Sequence, residues 1–346
     1  MIIEIPEKLN GYSFYTQILP QIHRQFELEN YMIDFSLQNT EVANPEGFVN
    51  LLAAALMIKN KNEDTYISKL YMPESEKLIS FMEHIDFFTP ARSIPTCEVF
   101  NINYQPSYKA YNRGGMSRIY GIYVHSDDYS ILNKHYANID DIIKKIRKEL
   151  SNEYDRDIDY FYQNLRDSLI QLVRNTIEHN KNYKESGALG YYMAQKTPYN
   201  TIEFVISDVG LGYRNRITEM IKENKDSNIQ KYIEKKDDIQ DNKFLYRDNE
   251  KNPNRLAIEV AINYRDDSMV PGLFQIRKFV LEQEDSNYTQ KSGNIISLKP
   301  SLFIHSDNYS IQFEKDNPYF KFYNNDFSGC HIKITIPIPI KQEEAL

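Results

Sequence analysis

At 346 residues, with 41% hydrophobic and 26% charged side chains, the chain has enough apolar material for two domains or one large one. Its formal net charge of -8 gives no electrostatic footprint for nucleic acid and argues against non-specific DNA or RNA binding. Its two cysteines, Cys97 and Cys330, are too few for a disulfide framework, and no Cys-x-x-Cys pair or His-Glu-x-x-His helix points to a metal site.

In chain order, residues 1–30 read as a helical or irregular lead, with Tyr15, Ile18, Leu19, Ile22 and Phe26 on one apolar stripe. The opening Met-Ile-Ile-Glu-Ile-Pro places an acid and a proline where a signal peptide carries positive charge and a long apolar run. Residues 31–36 read as a strand, 45–58 as a helix with Pro45 at its first turn, 65–71 as a strand and 73–85 as a helix. The apolar run 48–58 is broken by Asn50 and falls short of the ~20 residues that span a bilayer. No membrane anchor is expected, and a reducing cytoplasm fits best.

This alternation suggests a small α/β layer over 31–135. The strand Ile33-Asp34-Phe35-Ser36, the helix start at Pro45-Glu46-Gly47 and the ending Phe81-Met82-Glu83-His84-Ile85-Asp86-Phe87-Phe88 resemble the STAS domain of anti-sigma-factor antagonists. That resemblance implies a phosphorylatable Ser or Thr at the helix entry. The matched place holds Ala43, Asn44 and Pro45, so a docking or scaffolding layer is the expected role.

Between 91 and 135 the Arg113-Gly114-Gly115-Met116 run lacks P-loop spacing and reads as a turn, as does the cluster of His125, Asp127 and Asp128. Residues 140–165 read as one long linking helix, or two joined end to end, leading into the segment 164–180. There Leu165, Leu169, Leu172, Val173, Thr176 and Ile177 recur at three- and four-residue spacing, on a face suited to a sheet. The opposite face carries Asn164, Ser168, Gln171, Asn175 and His179, the last three at steps of four. Residues 201–207 alternate as a strand that ends at Asp208, with Gly210 and Gly212 after it, where the chain turns sharply or lets another group approach. Residues 215–254 are dense in charge and read as helix mixed with linker. Helical periodicity returns at 256–262, and short strands are expected at 295–298, 309–313, 319–323 and 331–337.

The helix with Asn175 and His179 resembles the N box of the GHKL ATPase superfamily, which includes DNA gyrase, histidine kinases and anti-sigma-factor kinases. Asp208-Val209-Gly210-Leu211-Gly212 is similar to its first glycine box, Pro271-Gly272-Leu273-Phe274-Gln275-Ile276-Arg277 to its second, and 329–337 to its closing strand. The resemblance covers roughly the second half of the chain, 136–346, and implies a Bergerat-type α/β sandwich, a mostly antiparallel sheet covered by helices. It implies ATP and Mg²⁺ as ligands. Asn175 would complete the Mg²⁺ shell and Asp208 would take the adenine amino group. Gly210 and Gly212 would run beneath the base, and Ser268, Gly272 and Leu273 would meet the phosphates. His179 would contact phosphate or ribose, or else cap the helix end.

Gln171 stands where the superfamily's ATPases carry the glutamate general base. An amide orients water without accepting its proton. Two functions therefore stand together. One is a cytoplasmic ATP-binding regulatory protein, a slow ATPase or Ser/Thr-kinase-like switch with a protein partner and room for a homodimer; the other is a non-catalytic interaction module with a degenerate nucleotide site. Whether the chain is an enzyme stays open.

Overall fold

The computed structural model describes residues 1–62, 66–92, 98–106, 118–124, 128–150, 156–180, 187–197, 201–222, 253–263, 272–283, 286–289, 295–314 and 317–337. The Arg113 run, His125 with Asp127, Ser268 and most of the charged segment 215–254 lie outside them. The fold is mixed α/β, with parallel and antiparallel sheets covered by helices.

The first 30 residues are more than a lead. β1 (Ile2–Glu4) enters a sheet, β2 (Lys8–Leu9) follows, and Asn10 caps α1 (Gly11–Ser13) by accepting from Ser13 N at 2.9 Å. A π turn over Phe14–Ile18 then runs into α2 (Leu19–Glu27). β3 is confined to Asp34–Ser36 and pairs in parallel with β1; β4 (Val42–Ala43) pairs with β2. The helix α3 covers Pro45–Lys61, opened by Asn44 Oδ1 accepting from Gly47 N at 2.8 Å and by Pro45 at the first turn. β5 (Ser68–Tyr71) is shorter than expected. α4 (Glu76–His84) starts behind the Ser75 cap, three residues later than expected at Pro73. α5 (Phe88–Arg92) and β6 (Phe100–Asn101) complete a parallel sheet of order β1-β3-β5-β6.

β7 (Arg118–Val124) belongs to a second, antiparallel sheet. The linking helix resolves into two, α6 (Asp128–Leu150) and α7 (Arg156–Asn180), which pack side by side instead of end to end. Arg166 on α7 pairs with Asp140 on α6, and Arg147 with Asp159. β8 (Gly187–Lys196) and β9 (Thr201–Asp208) follow, then α8 (Gly212–Lys222), α9 (Pro253–Asn263) and α10 (Gly272–Leu281). β10 (Ser286–Thr289) and β11 (Ile295–Leu298) form a separate hairpin. The expected short strands near the end merge into two long ones, β12 (Ser301–Glu314) and β13 (Asn317–Pro337), with register shifts at Asp307. The resulting five-stranded sheet has the order β12-β13-β9-β8-β7.

The central strands of that sheet are buried on both faces, which suits the consecutive apolar residues Tyr191, Tyr192, Met193 and Ala194 of β8 and Phe204, Val205 and Ile206 of β9. Tyr192, Ala194, Phe204, Ile206, Ile332 and Ile334 join the core formed by α6, α7, α9 and α10. Tyr191, Met193 and Val205 point the other way into the core of the N-terminal layer. There α3 packs on β8, β9 and β13, and every residue from Gly47 to Lys59 is buried. A helix apolar on all sides belongs between two layers. Among the described residues no helix is long and apolar enough to cross a membrane.

Candidate functional site

The helix α7, the end of β9, the start of α8 and the middle of β13 converge on one cleft that is partly open to solvent. Its walls are apolar at Leu172, Ile206, Leu211 and Ile332, while Asn175, Thr176, Asp208, Arg216 and Cys330 bring polar atoms. Apolar walls with a few convergent polar groups are the ingredients of a small-ligand site.

Asp208 sits at the floor, 5% exposed, where the β9 ladder stops. Its Oδ1 accepts from Gly210 N at 3.0 Å and from Cys330 N at 3.2 Å, which fixes the carboxylate between the glycine turn and β13. The close approach of β13 depends on Gly329, at φ 97°, where a Cβ would lie 2.0 Å from Asp208 O. Gly212 opens α8 at φ 71°, and a Cβ there would lie 2.8 Å from Asp307 Oδ1. Only glycine fits both places without strain. Ser306 Oγ accepts from Tyr213 N at 3.0 Å, which ties the first turn of α8 to β12. Burial pushes the neighbouring Asp307 carboxyl up to about 7, and the Tyr213 hydroxyl and Cys330 thiol are pushed up by burial as well.

Across the cleft, Gln171 and Asn175 are half-buried and touch, Gln171 Nε2 donating to Asn175 Oδ1 at 3.2 Å. The spacing of four had placed them together. The polar face is less wet than expected: Ser168 is buried and Asn164 half-buried. Thr176, placed by spacing on the sheet-facing side, also lines the cleft and donates its hydroxyl to Leu172 O at 3.2 Å.

Of the expected site residues, the structure brings Asn175, Asp208 and Gly212 to the cleft directly, with Gly210 holding Asp208 and Gln171 holding Asn175. Gly272 opens α10, and the Leu273 side chain is 3% exposed within the α7-side core, away from the cleft lining. His179 lies in the last turn of α7. Its side chain and all of Ser268 are outside the described residues. Sequence reasoning missed Tyr213, Arg216 and Cys330. Arg216 was detectable, since it follows Gly212 by one helical turn.

Among the described residues no group of three or more His, Cys, Asp or Glu is placed to hold a metal ion. A magnesium ion here would rely on Asn175 as protein ligand and on ligand phosphates and water for the rest, an arrangement that suits its preference for retained waters. The amide oxygen of Asn175 has a second lone pair beyond the one used by Gln171. Comparison with models of known protein families finds no match, and comparison with curated proteins finds none either.

Proposed function

We propose that the chain is an ATP-binding regulatory protein of the GHKL type, acting in the cytoplasm, with the N-terminal layer as its partner-facing part. The observation that carries this reading is the meeting of Asn175 and Asp208 in one cleft, closed by a glycine turn, from a helix and a strand end of a sheet covered by helices. A strand-end carboxylate fixed by two backbone N–H groups is an oriented acceptor for an exocyclic amine. The apolar walls take the faces of a planar ring. Bound Mg²⁺-nucleotide would supply the phosphoryl group, Asn175 would hold the ion, and Gln171 would orient a water or the Asn175 amide.

A buried polar contact joins the N-terminal layer to the strand end beside the cleft. Ser207, adjacent to Asp208, donates to Asn50 Oδ1 of α3 at 2.6 Å, and Asn50 Nδ2 donates to the Tyr15 hydroxyl at 3.4 Å. A ligand that shifts the end of β9 therefore acts on α3 directly, which suits a switch with two arrangements.

Calorimetric titration with ATP, with and without Mg²⁺, tests the site. Asp208→Asn should weaken ATP binding by on the order of 10- to 100-fold, the worth of a charge-assisted hydrogen bond. Asn175→Ala should remove the Mg²⁺ dependence. Wild-type affinity in the first variant sinks the adenine contact, and wild-type Mg²⁺ dependence in the second sinks the metal role.

Gln171 supports a second reading, a non-catalytic module, because no acid stands beside Asn175 at that place. Gln171→Glu should raise phosphate release by about 10²–10⁴-fold if the site is otherwise competent. Unchanged release with ATP bound favours the non-catalytic module.

A further inference from the structure

We infer that Arg216 is the phosphate-recognition residue of the cleft, so that its ligand is a nucleotide and not a free nucleoside or base. This rests on the nucleotide reading above. Arg216 lies on α8 one turn past Gly212, and the same face of the helix brings Gly212, Tyr213 and Arg216 to the cleft that Asn175 and Asp208 line. It is the sole cation among the described lining residues.

The guanidinium is only partly used. Its Nη1 lies 3.5 Å from Glu219 Oε2, three residues on, with the Arg216 side chain 25% exposed and the Glu219 side chain 44%. Its Nε is buried and has no acceptor among the described residues. Glu219 meets the guanidinium at Nη1, and once a side-chain turn frees the buried Nε, the fork offers a planar pair of donors that matches two oxygens of a phosphate. Arg214, two residues earlier, lies close enough to Asp307 to lower its pKa, so its charge serves the carboxyl beneath Gly212. With Asp208 at the floor, the described lining would repel an anion if Arg216 were absent. Burying part of a cation beside an acid, with one donor left without an acceptor, is costly for a merely structural residue. An anionic ligand removes that cost.

Arg216 also divides the ligand in two. Asp208 reads the ring system, which adenosine and ATP share, and Arg216 reads what adenosine lacks.

Calorimetry of the full chain with adenosine, AMP, ADP and ATP in the presence of Mg²⁺ tests the assignment. For the wild type, affinity should rise from adenosine to ADP. Arg216→Met should lose on the order of 10- to 100-fold for ADP and ATP while adenosine stays within about twofold. Arg216→Lys, which keeps the charge and gives up the fork, should recover part of the loss. The proposal is overturned if Arg216→Met keeps the wild-type ratio of ADP to adenosine affinity. Should that variant fail to melt cooperatively, the same ratio is read on Arg216→Lys, and an unchanged ratio there overturns it equally. Failure of the wild type to bind any of the four ligands is a different result, because it removes the nucleotide reading itself.

Discussion

The two faces of the five-stranded sheet differ in how they mix apolar and polar packing. On the α7 side, Phe204, Ile206, Ile304, Ile332 and Ile334 meet aliphatic and aromatic side chains, and polar groups gather in the cleft and where the Tyr192 hydroxyl meets His135 Nδ1 at 3.2 Å. On the α3 side the layer between sheet and helix holds buried and half-buried polar groups in its middle. Ser207 bonds Asn50, Lys333 lies 3.3 Å from Glu46 and 3.5 Å from Glu203, and His305 and His331 face each other across β12 and β13 at 5.7 Å between ring centroids. Apolar packing tolerates sliding and substitution as long as volume is kept. Buried polar pairs do not, since a slipped partner leaves a desolvated group behind. The α7 face thus supplies stability, and the α3 face fixes where the N-terminal layer sits relative to Asp208.

The largest test of that contrast is a cavity on the apolar side. Phe204 is fully buried on β9, its ring 5.9 Å from that of Tyr192. Phe204→Ala should cost about 3–5 kcal/mol, read as a shift of the urea midpoint. Adjacent residues of β8 and β9 enter different cores, so both layers should unfold in one transition with the midpoint moved. Two separated transitions, or a loss below about 1 kcal/mol, would show that the faces are independent.

What the sequence made legible follows the same division. The strand β9 was read to within a residue and α7 to its end at Asn180 because their periodicity is local, although α7 begins at Arg156, inside the stretch read as the linking helix. Asn50 was visible only as an interruption of the apolar run 48–58. Its meaning depends on Ser207, 157 positions away. Cys330 and Ile332 could not be assigned to the cleft, because they reach it through the pairing of β13 with β9, in which His331 stands opposite Ser207. β12 and β13 were read as short strands because Asp307 and Asn308, and Asn324 with Asn325 and Asp326, break the alternation. The fold absorbs part of that break as register shifts at Asp307, itself at φ 57°.

The second test uses protons. Burial holds the His305 imidazole down to about 3, and it lowers His331 too. His305 packs against Tyr15, Tyr323 and Phe327, with Asp307 O accepting or facing its Nε2 at 2.9 Å. Between about pH 6.5 and 3 the unfolded chain binds a proton at this position and the folded chain does not. Stability therefore falls as pH drops through that window. Asp307, raised to about 7, works in the opposite sense: the folded state holds its proton more tightly, and stability from this group falls as pH rises from about 4 to 7. His305→Phe should flatten the acid loss between pH 6.5 and 4 by about 2 kcal/mol, part of the full shift. Asp307→Asn should steepen it. Denaturation at several pH values checks both signs, and parallel pH curves for His305→Phe and wild type would remove the buried-histidine account.

The smallest effect isolates the contact between the layers. Ser207→Ala leaves the buried Asn50 oxygen without its hydroxyl donor and should cost about 1–2 kcal/mol. Replacing both partners by apolar groups, Ser207→Ala with Asn50→Leu, removes the stranded atom as well as the bond, so the pair should come out closer to wild type than the sum of the single changes. Stability alone would make the contact look dispensable. Function distinguishes it, because β9 continues from Ser207 into Asp208. In the double variant ATP affinity should hold within a few fold, while the protection of α3 amides from hydrogen exchange should stop responding to ATP. If α3 responds to ATP as in the wild type, the two layers communicate by another route and the polar pair serves register alone.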